Sequence, residues 1–251
     1  MRETGARALP TGMLTPIAEG VWGYERDLKM PGGIRLPSRS TLVRLRSGGL
    51  LVHSPLRFDD ETAAAIDARG PVEVLVAPSC VHWLFLEAAT KRWPSAQVLG
   101  APGLERKLGR VSFAPLPSAG ALPGLGDEIA VRRIEGAPYM GEHVFLHRPS
   151  GSLVVTDLLF NVHQCTFGLQ VFMRLAGTYQ KTAQSRIWRL LTKDRSAAAE
   201  SAEAVLAWDF RRVVVAHGDV VEEDAHARTR TALAPMLSGG GGPRQKLLDA
   251  A

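Results

Sequence analysis

Two histidines and one aspartate each follow an apolar segment that reads as a buried strand. His82 comes after VEVLVAP, Asp157 after SLVV and His217 after VVVA. In layered α/β folds, catalytic and ligand-binding residues lie at the carboxyl ends of such strands, so these three side chains are candidates for one site. Two imidazoles and a carboxylate suit one divalent metal such as zinc, iron or manganese. Only the fold can bring them together, and each could instead be an isolated capping or core residue.

Other residues with reactive side chains lie near the same strand ends. Cys80 could be a ligand or a nucleophile, although a small buried thiol in a turn is the more common case. His163 and Cys165 follow Asp157 closely and could act as replacement ligands, with ordinary loop positions as the alternative.

The remaining histidines and aromatic residues are assigned structural roles. His53 stands at a strand end and is expected to be a satisfied polar residue, whereas His147 and His226 are expected at the surface. Four aromatic residues are expected to pack in the core rather than to stack on a substrate: Trp83, Phe85, Phe160 and Phe167. The chain has no GxSxG elbow, phosphate-binding loop or dinucleotide-binding GxGxxG in the required context.

Composition bounds the classes of partner. The chain has 251 residues, 45% of them apolar and 22% charged, as in an ordinary globular protein. It has no apolar run long enough for a membrane span or a secretion signal, and its two cysteines are far apart, so we expect a cytoplasmic protein without a membrane partner. The net charge of +5 comes from scattered arginines, so no nucleic-acid partner is expected. A small-molecule substrate remains, and the oligomeric state is not predicted.

The pattern of elements is strands first, then strands alternating with helices. Residues 40–54 predict two strands of a hairpin, and a helix begins at Asp59 or Asp60 and ends at Ala68. The later segments predict a strand at 72–78, a helix within 80–94, a strand at 97–99, a loop without a core of its own at 114–127, strands near 129–134 and 143–146, a strand ending at Asp157, two helices within 182–208 and a strand at 213–216. Residues 1–235 are predicted to form a single domain, and the glycine-rich residues 236–251 a flexible tail without a function.

The order of several segments resembles the metallo-β-lactamase fold superfamily. The segments are IAEGVWGYE, STLVRLRSGGLLVHSP, GEHVFLHRPSGSLVVTDLLF and VVVAHGD, and the resemblance covers roughly residues 14–235. The chain is most similar to a divergent branch, the DUF4336-type proteins. The resemblance implies an α/β fold of the αββα sandwich type, with two sheets face to face, helices outside and a metal site at one edge.

The sequence departs from the family at its main metal-binding motif. Hydrolases of this fold carry His-x-His-x-Asp-His after the first central strand, and the corresponding segment here is APSCVH, residues 77–82. Ala77 and Ser79 stand where the first two histidines would be, Val81 stands where the aspartate would be, and only His82 agrees. A further family histidine falls on residues 137–138, an alanine and a proline. One of the two family metal sites has therefore lost all its histidines.

The other family site keeps three ligands, His82, Asp157 and His217, but lacks its first carboxylate. The resemblance thus implies a metallo-hydrolase-like protein of unknown substrate with at most one metal, and three ligands with an open position are typical of a catalytic site. The alternative is a non-catalytic binding or scaffold protein that has lost its metal. Gly218 fits the first hypothesis, since a residue without a Cβ lets the chain turn away from the metal edge.

Overall fold

The computed structural model describes residues 13–238, which form two β-sheets and six α-helices. The first sheet contains, in spatial order, β1 (Thr15–Ala18), β2 (Val21–Lys29), β3 (Arg35–Arg44), β4 (Leu50–His53), β5 (Val72–Ala77), β6 (Gln97–Gly100) and β7 (Ala114–Pro115). The second contains β8 (Ala119–Ala121), β9 (Ile129–Arg133), β10 (His143–His147), β11 (Ser152–Val155) and β12 (Arg212–Val215), so that the chain completes one sheet before the other. The helices are α1 (Asp60–Asp67), α2 (Leu86–Arg92), α3 (Phe167–Ala176), α4 (Arg186–Leu190), α5 (Arg195–Leu206) and α6 (Ala225–Leu237).

The two sheets pack face to face because their central strands are apolar on both sides. One shared cluster joins Val43, Leu51 and Val74 of the first sheet to Phe145 and Val214 of the second. The outer face of the first sheet is covered by α1 and α2, and that of the second by α5 and α6. Each sheet thus buries one face against the other and one against helices. The αββα sandwich predicted from the sequence is confirmed.

The predicted helix after the hairpin is confirmed as α1. The Asp59 side chain caps it by accepting the backbone N–H of Thr62 at 2.8 Å. The helix predicted within residues 80–94 is wrong in its first half, because α2 begins only at Leu86. The preceding residues form a turn in which the Ser79 hydroxyl accepts the backbone N–H of His82 at 3.1 Å.

Residues 114–127 were predicted to be a loop without a core of its own, and the loop assignment is wrong in part. They include the short strands β7 and β8, and Leu116 and Leu122 are buried in the cluster between the sheets. Two other assignments are also corrected. The side chain of Phe167, expected in the core, is 80% exposed, and His147, expected at the surface, is buried.

The helix α6 crosses the boundary that was drawn at residue 235. It contains Pro235 and continues to Leu237, with the Met236 side chain buried. Of the predicted flexible tail, residues 239–251 lie outside the described residues. The single domain therefore stays a prediction, as does the dispensable tail. Within residues 13–238, no helix combines the length and the apolar character that crossing a membrane requires.

Candidate metal centre

Strand pairing brings Asp157 and His217 together. Strands β11 and β12 are parallel, with Val155 opposite Val215, and each of the two polar residues comes two positions later. His82 arrives from the other sheet, five residues beyond the end of β5 at Ala77. The candidate site therefore lies at one edge of the sandwich, where strand ends of both sheets meet.

The three side chains converge on one point, as the sequence predicted. The Nε2 atoms of His82 and His217 are 3.2 Å apart. One carboxylate oxygen of Asp157 lies 3.2 Å from His82 Nε2, and the other lies 3.4 Å from His217 Nε2. Ligand atoms around a tetrahedral ion with bonds of 2.0–2.1 Å are separated by roughly 3.3 Å. The residues present therefore fit a single transition metal, although its binding stays a prediction.

Both imidazole rings are held through the ring nitrogen that faces away from this point. His217 Nδ1 lies 2.8 Å from the carbonyl oxygen of Pro37, which can only accept, so Nδ1–H donates and a neutral ring then has its lone pair on Nε2. His82 Nδ1 lies 2.8 Å from the hydroxyl oxygen of Ser54. Such outer hydrogen bonds fix the tautomer and orientation of metal-binding histidines.

Ser54 holds its position with a strained backbone. Its φ of +52° lies in the left-handed region, and the residue is buried at the end of β4. Non-glycine residues adopt this conformation at a cost of about 1–3 kcal/mol, and they cluster at functional sites. The strained residue is thus the one whose hydroxyl group contacts and orients the His82 ring. Nothing in the sequence except the Ser-Pro pair after an apolar strand marked this residue.

Beside His217, residues 217–219 are hydrogen-bonded to the backbone of Asn161, and we call this paired segment the strap. The carbonyl oxygen of His217 accepts the backbone N–H of Asn161 at 3.0 Å, and Asn161 in turn accepts the N–H of Asp219 at 2.9 Å. Gly218, with φ of +104°, lies between these bonds. A Cβ on Gly218 would stand only 2.2 Å from the Asn161 carbonyl oxygen. The Phe160 ring stacks on the imidazole of His217 with centroids 5.0 Å apart, and its burial in an apolar cluster confirms that it packs in the core.

Glu142 is a site residue that sequence reasoning missed. Its buried carboxylate accepts the backbone N–H of Thr156 at 2.8 Å and the indole N–H of Trp188 at 3.3 Å. Glu142 thus fixes the backbone at Thr156, the residue before Asp157. Nothing in the sequence around Glu142 distinguishes it from a surface acid ahead of a strand.

Burial and neighbouring charge shift the pKa values of the two carboxyl groups in opposite directions. Burial alone would raise the pKa of Asp157, but the adjacent His82 and His217 outweigh it and hold that pKa well below its usual range. Burial, and then the negative charge of Asp157, raise the pKa of Glu142 to about 7. Asp157 is therefore an anion at neutral pH, which is the form that binds a cation.

Three other histidines are buried without reaching the site. His53 packs its ring edge-on against Phe145 with centroids 5.0 Å apart, and its Nε2 has no partner in the described part of the chain. The prediction that the polar atoms of His53 are hydrogen-bonded is therefore wrong for Nε2. Burial lowers the pKa to about 3 for His53 and to about 4 for His143 and His147.

These shifts predict acid sensitivity in the metal-free protein. The unfolded chain gains protons on His53, His143 and His147 below pH 6.5, whereas the folded chain gains them only near pH 3–4, so the free energy of unfolding falls across that window. One pKa unit corresponds to about 1.4 kcal/mol, so we expect a loss of at least ~3 kcal/mol. Glu142 has the opposite sign, because its raised pKa adds stability below about pH 4.5 that is lost as the pH rises through about 7.

Urea unfolding of chelator-treated protein between pH 7 and pH 4 measures this dependence. Glu142→Gln removes the opposing contribution and should steepen the loss, and His147→Gln should reduce it. His226→Gln, on the exposed side of α6, is the matched control and should leave the slope unchanged. A flat stability profile across this window would show that the three buried histidines do not titrate as expected.

The other candidate ligands lie apart from the triad. Among residues 13–238, the cluster of potential ligands consists of His82, Asp157 and His217 alone. Cys80 is buried in its turn with Sγ 3.5 Å from the carbonyl oxygen of Pro102, in agreement with the structural assignment. The His163 Nε2 lies 2.9 Å from the side-chain oxygen of Asn161. Cys165 packs beside the apolar cluster under α3.

Comparison with known proteins supports the fold. The model of the family described as "Domain of unknown function (DUF4336)" matches residues 18–104, which include His82. A curated protein that matches the chain by sequence was not found. The structure is similar to a metallo-beta-lactamase from Pontibacter korlensis, with a TM-score of 0.61 and 15% identity over 88% of this chain and 98% of that chain.

Two further solved structures are similar to this chain. FIM-1 from Pseudomonas aeruginosa, a metallo-beta-lactamase in a mono-zinc form, has a TM-score of 0.61 and 13% identity, over 90% of this chain and 96% of that chain. The metal-soaked Flv1 flavodiiron core from Synechocystis has a TM-score of 0.65 and 15% identity, over 91% of this chain and 61% of that chain. At these identities the likeness shows the fold and not the activity, and it confirms the fold that the sequence resemblance implied.

Proposed function

We propose that this chain, whose fold is that of the metallo-β-lactamases, is a hydrolase-like protein that holds one divalent metal through His82, Asp157 and His217. The observation that carries the proposal is the spacing of four possible ligand atoms: the two Nε2 atoms are 3.2 Å apart, and each lies 3.2 or 3.4 Å from a different carboxylate oxygen of Asp157, close to the edge length of a metal coordination polyhedron. Zinc, iron and manganese all suit this donor set. A structurally similar protein, FIM-1, is described in a mono-zinc form.

A bound divalent ion with an open position would supply Lewis-acid chemistry for the hydrolysis of a small molecule. The protein's own residues provide the rest of the site. Asp157 supplies the negative charge, and Ser54 and Pro37 orient the two imidazoles. Ala77 and Ser79 stand where the family has histidines, so a second metal would find no imidazole there. We therefore propose a mononuclear site. We also propose that the protein acts in the cytoplasm, without a nucleic-acid or membrane partner.

The alternative is a binding or scaffold protein in which the triad is purely structural. The contacts between Asp157 and the two histidines could also satisfy the carboxylate without a metal if one imidazole carries the shared proton. The two functions differ in their dependence on metal, so they can be separated by experiment.

The test is hydrolysis of a panel of ester, thioester, amide and phosphodiester substrates by metal-depleted and reconstituted protein. We expect turnover of at least one class only after zinc, iron or manganese is restored, and no turnover by Asp157→Asn. Cys165→Ser, outside the site, should behave as the unchanged protein. Metal binding without turnover of any class would favour the binding protein.

A further inference from the structure

A second concave site lies on the helical layer, away from the triad. The pocket has a volume of about 380 Å³ and lies where α4, the start of α5 and the last turn of α6 meet. Arg186, Arg189 and Arg195 line it together with Gln184, and Leu190 and Met236 add apolar surface. None of the three proposed metal ligands borders this pocket, so its contents are independent of the metal.

The pocket carries positive charge without a counter-ion. Of the described residues, Arg186, Arg189 and Arg195 line it and no acidic residue does, and the Arg186 guanidinium also donates to the backbone carbonyl of Leu175 at 3.5 Å. Within residues 13–238, the ion pairs formed by arginines involve other positions than these three. Guanidinium groups bind carboxylates and phosphates in a two-pronged geometry, so such a cluster favours an oxyanion.

Two residues that line the pocket also carry buried polar atoms without a partner among residues 13–238. Gln184 is 4% exposed, and neither its side-chain oxygen nor its side-chain nitrogen has a hydrogen-bond partner in the described part of the chain. The Nε atom of Arg189 is likewise buried and without a partner there. Buried polar groups are almost always paired, so each such atom needs an explanation, and an amide requires an acceptor and a donor. A ligand with an oxyanion and a hydroxyl group offers both.

We infer that this pocket binds a small oxyanion, a phosphate or carboxylate that also carries a hydroxyl group. The oxyanion lies against Arg186, Arg189 and Arg195, and the Gln184 amide bonds the anionic oxygen and the hydroxyl. Leu190 and Met236 contact the carbon part of an organic ligand. The inference uses no property of the triad, so it stands if no metal binds.

The test is isothermal titration of chelator-treated protein with inorganic phosphate, glycerol phosphate, malate and succinate, with chloride at matched ionic strength as the blank. Chelation prevents a metal-bound anion from mimicking the result. We expect saturable binding of one ligand per chain. A phosphate site would bind the two phosphates more tightly than malate, and a carboxylate site would bind malate more tightly than the phosphates. Succinate, which lacks the hydroxyl group, should bind more weakly than malate. Arg189→Met should weaken binding at least ~10-fold, since it removes a charged hydrogen-bond donor.

Two further variants keep the test decisive. Arg195 is an exposed arginine of the pocket, so Arg195→Met should not prevent folding. This variant replaces Arg189→Met if the Arg189→Met protein does not fold. Arg106→Met makes the same change of charge at an exposed position outside the pocket and should bind as the unchanged protein. Absence of saturable binding up to about 10 mM of all four ligands, far above useful affinities, would overturn the inference. Equal binding by Arg195→Met and Arg106→Met would also overturn it.

Discussion

Replacing His217 with alanine is expected to weaken metal binding by more than ~100-fold while the protein stays folded. The imidazole supplies one of only three ligands, and loss of even an outer partner of a ligand costs 10–100-fold in affinity. The ring lies past the end of β12, so its loss leaves the strand pairing of both sheets intact and removes the hydrogen bond to Pro37 of β3. Competition with a coloured zinc chelator measures the affinity, and thermal unfolding checks the fold.

A graded series separates the direct ligand from its support. Ser54→Ala keeps the backbone of a left-handed position and removes only the hydroxyl that contacts His82, so affinity should fall by about 10–100-fold. His226→Ala removes a histidine of α6 that contacts Leu206 and Phe210 outside the site, so zinc affinity should not change. Zinc affinity in His217→Ala equal to that of the unchanged protein would remove this residue from the ligand set.

Replacing Gly218 with alanine is expected to lower the free energy of unfolding by more than ~3 kcal/mol, among the largest effects of a single substitution. The residue has φ of +104°, which an L side chain rarely adopts, and its Cβ would lie 2.2 Å from the Asn161 carbonyl oxygen. This clash can be relieved only if the backbone hydrogen bond of the strap between residues 161 and 219 breaks. The backbone beside His217 would then move, so zinc affinity should fall together with stability. Urea unfolding measures the first effect and chelator competition the second.

Gly120 offers a matched control for this substitution. It has φ of +106°, but a Cβ there would have no atom within 4 Å. Gly120→Ala therefore carries the conformational penalty alone, about 1–2 kcal/mol. If Gly218→Ala proved no more destabilising than Gly120→Ala, the close approach of Asn161 would not be what requires glycine beside His217.

The triad could be predicted because its information is local. Each ligand follows an apolar strand, and the parallel pairing of β11 and β12 then makes Asp157 and His217 neighbours without further signals. The position of His82 also followed from the strand before it, although the helix assigned to the next residues was wrong. That turn depends on the Ser79 hydroxyl, whose short-range bond competes with the helix that the apolar spacing predicts.

The partners of the triad could not be predicted because they are distant in sequence. Pro37 bonds His217 across 180 positions, and Glu142 reaches Thr156 and Trp188 from another strand. Neither residue has a local pattern that reports its contacts. The helix α3 is a different case, because its buried residues Leu169, Met173 and Ala176 have helical spacing and could have been recognised.

The proposed function requires one metal ion per chain, and elemental analysis tests this requirement most directly. Protein purified without chelator, and protein re-equilibrated with zinc, iron or manganese, is analysed for bound metal alongside Asp157→Asn and Cys165→Ser. We expect one equivalent of metal in the unchanged protein and in Cys165→Ser, and none in Asp157→Asn. Two equivalents per chain, or none together with an unchanged melting temperature after each metal is added, would contradict it.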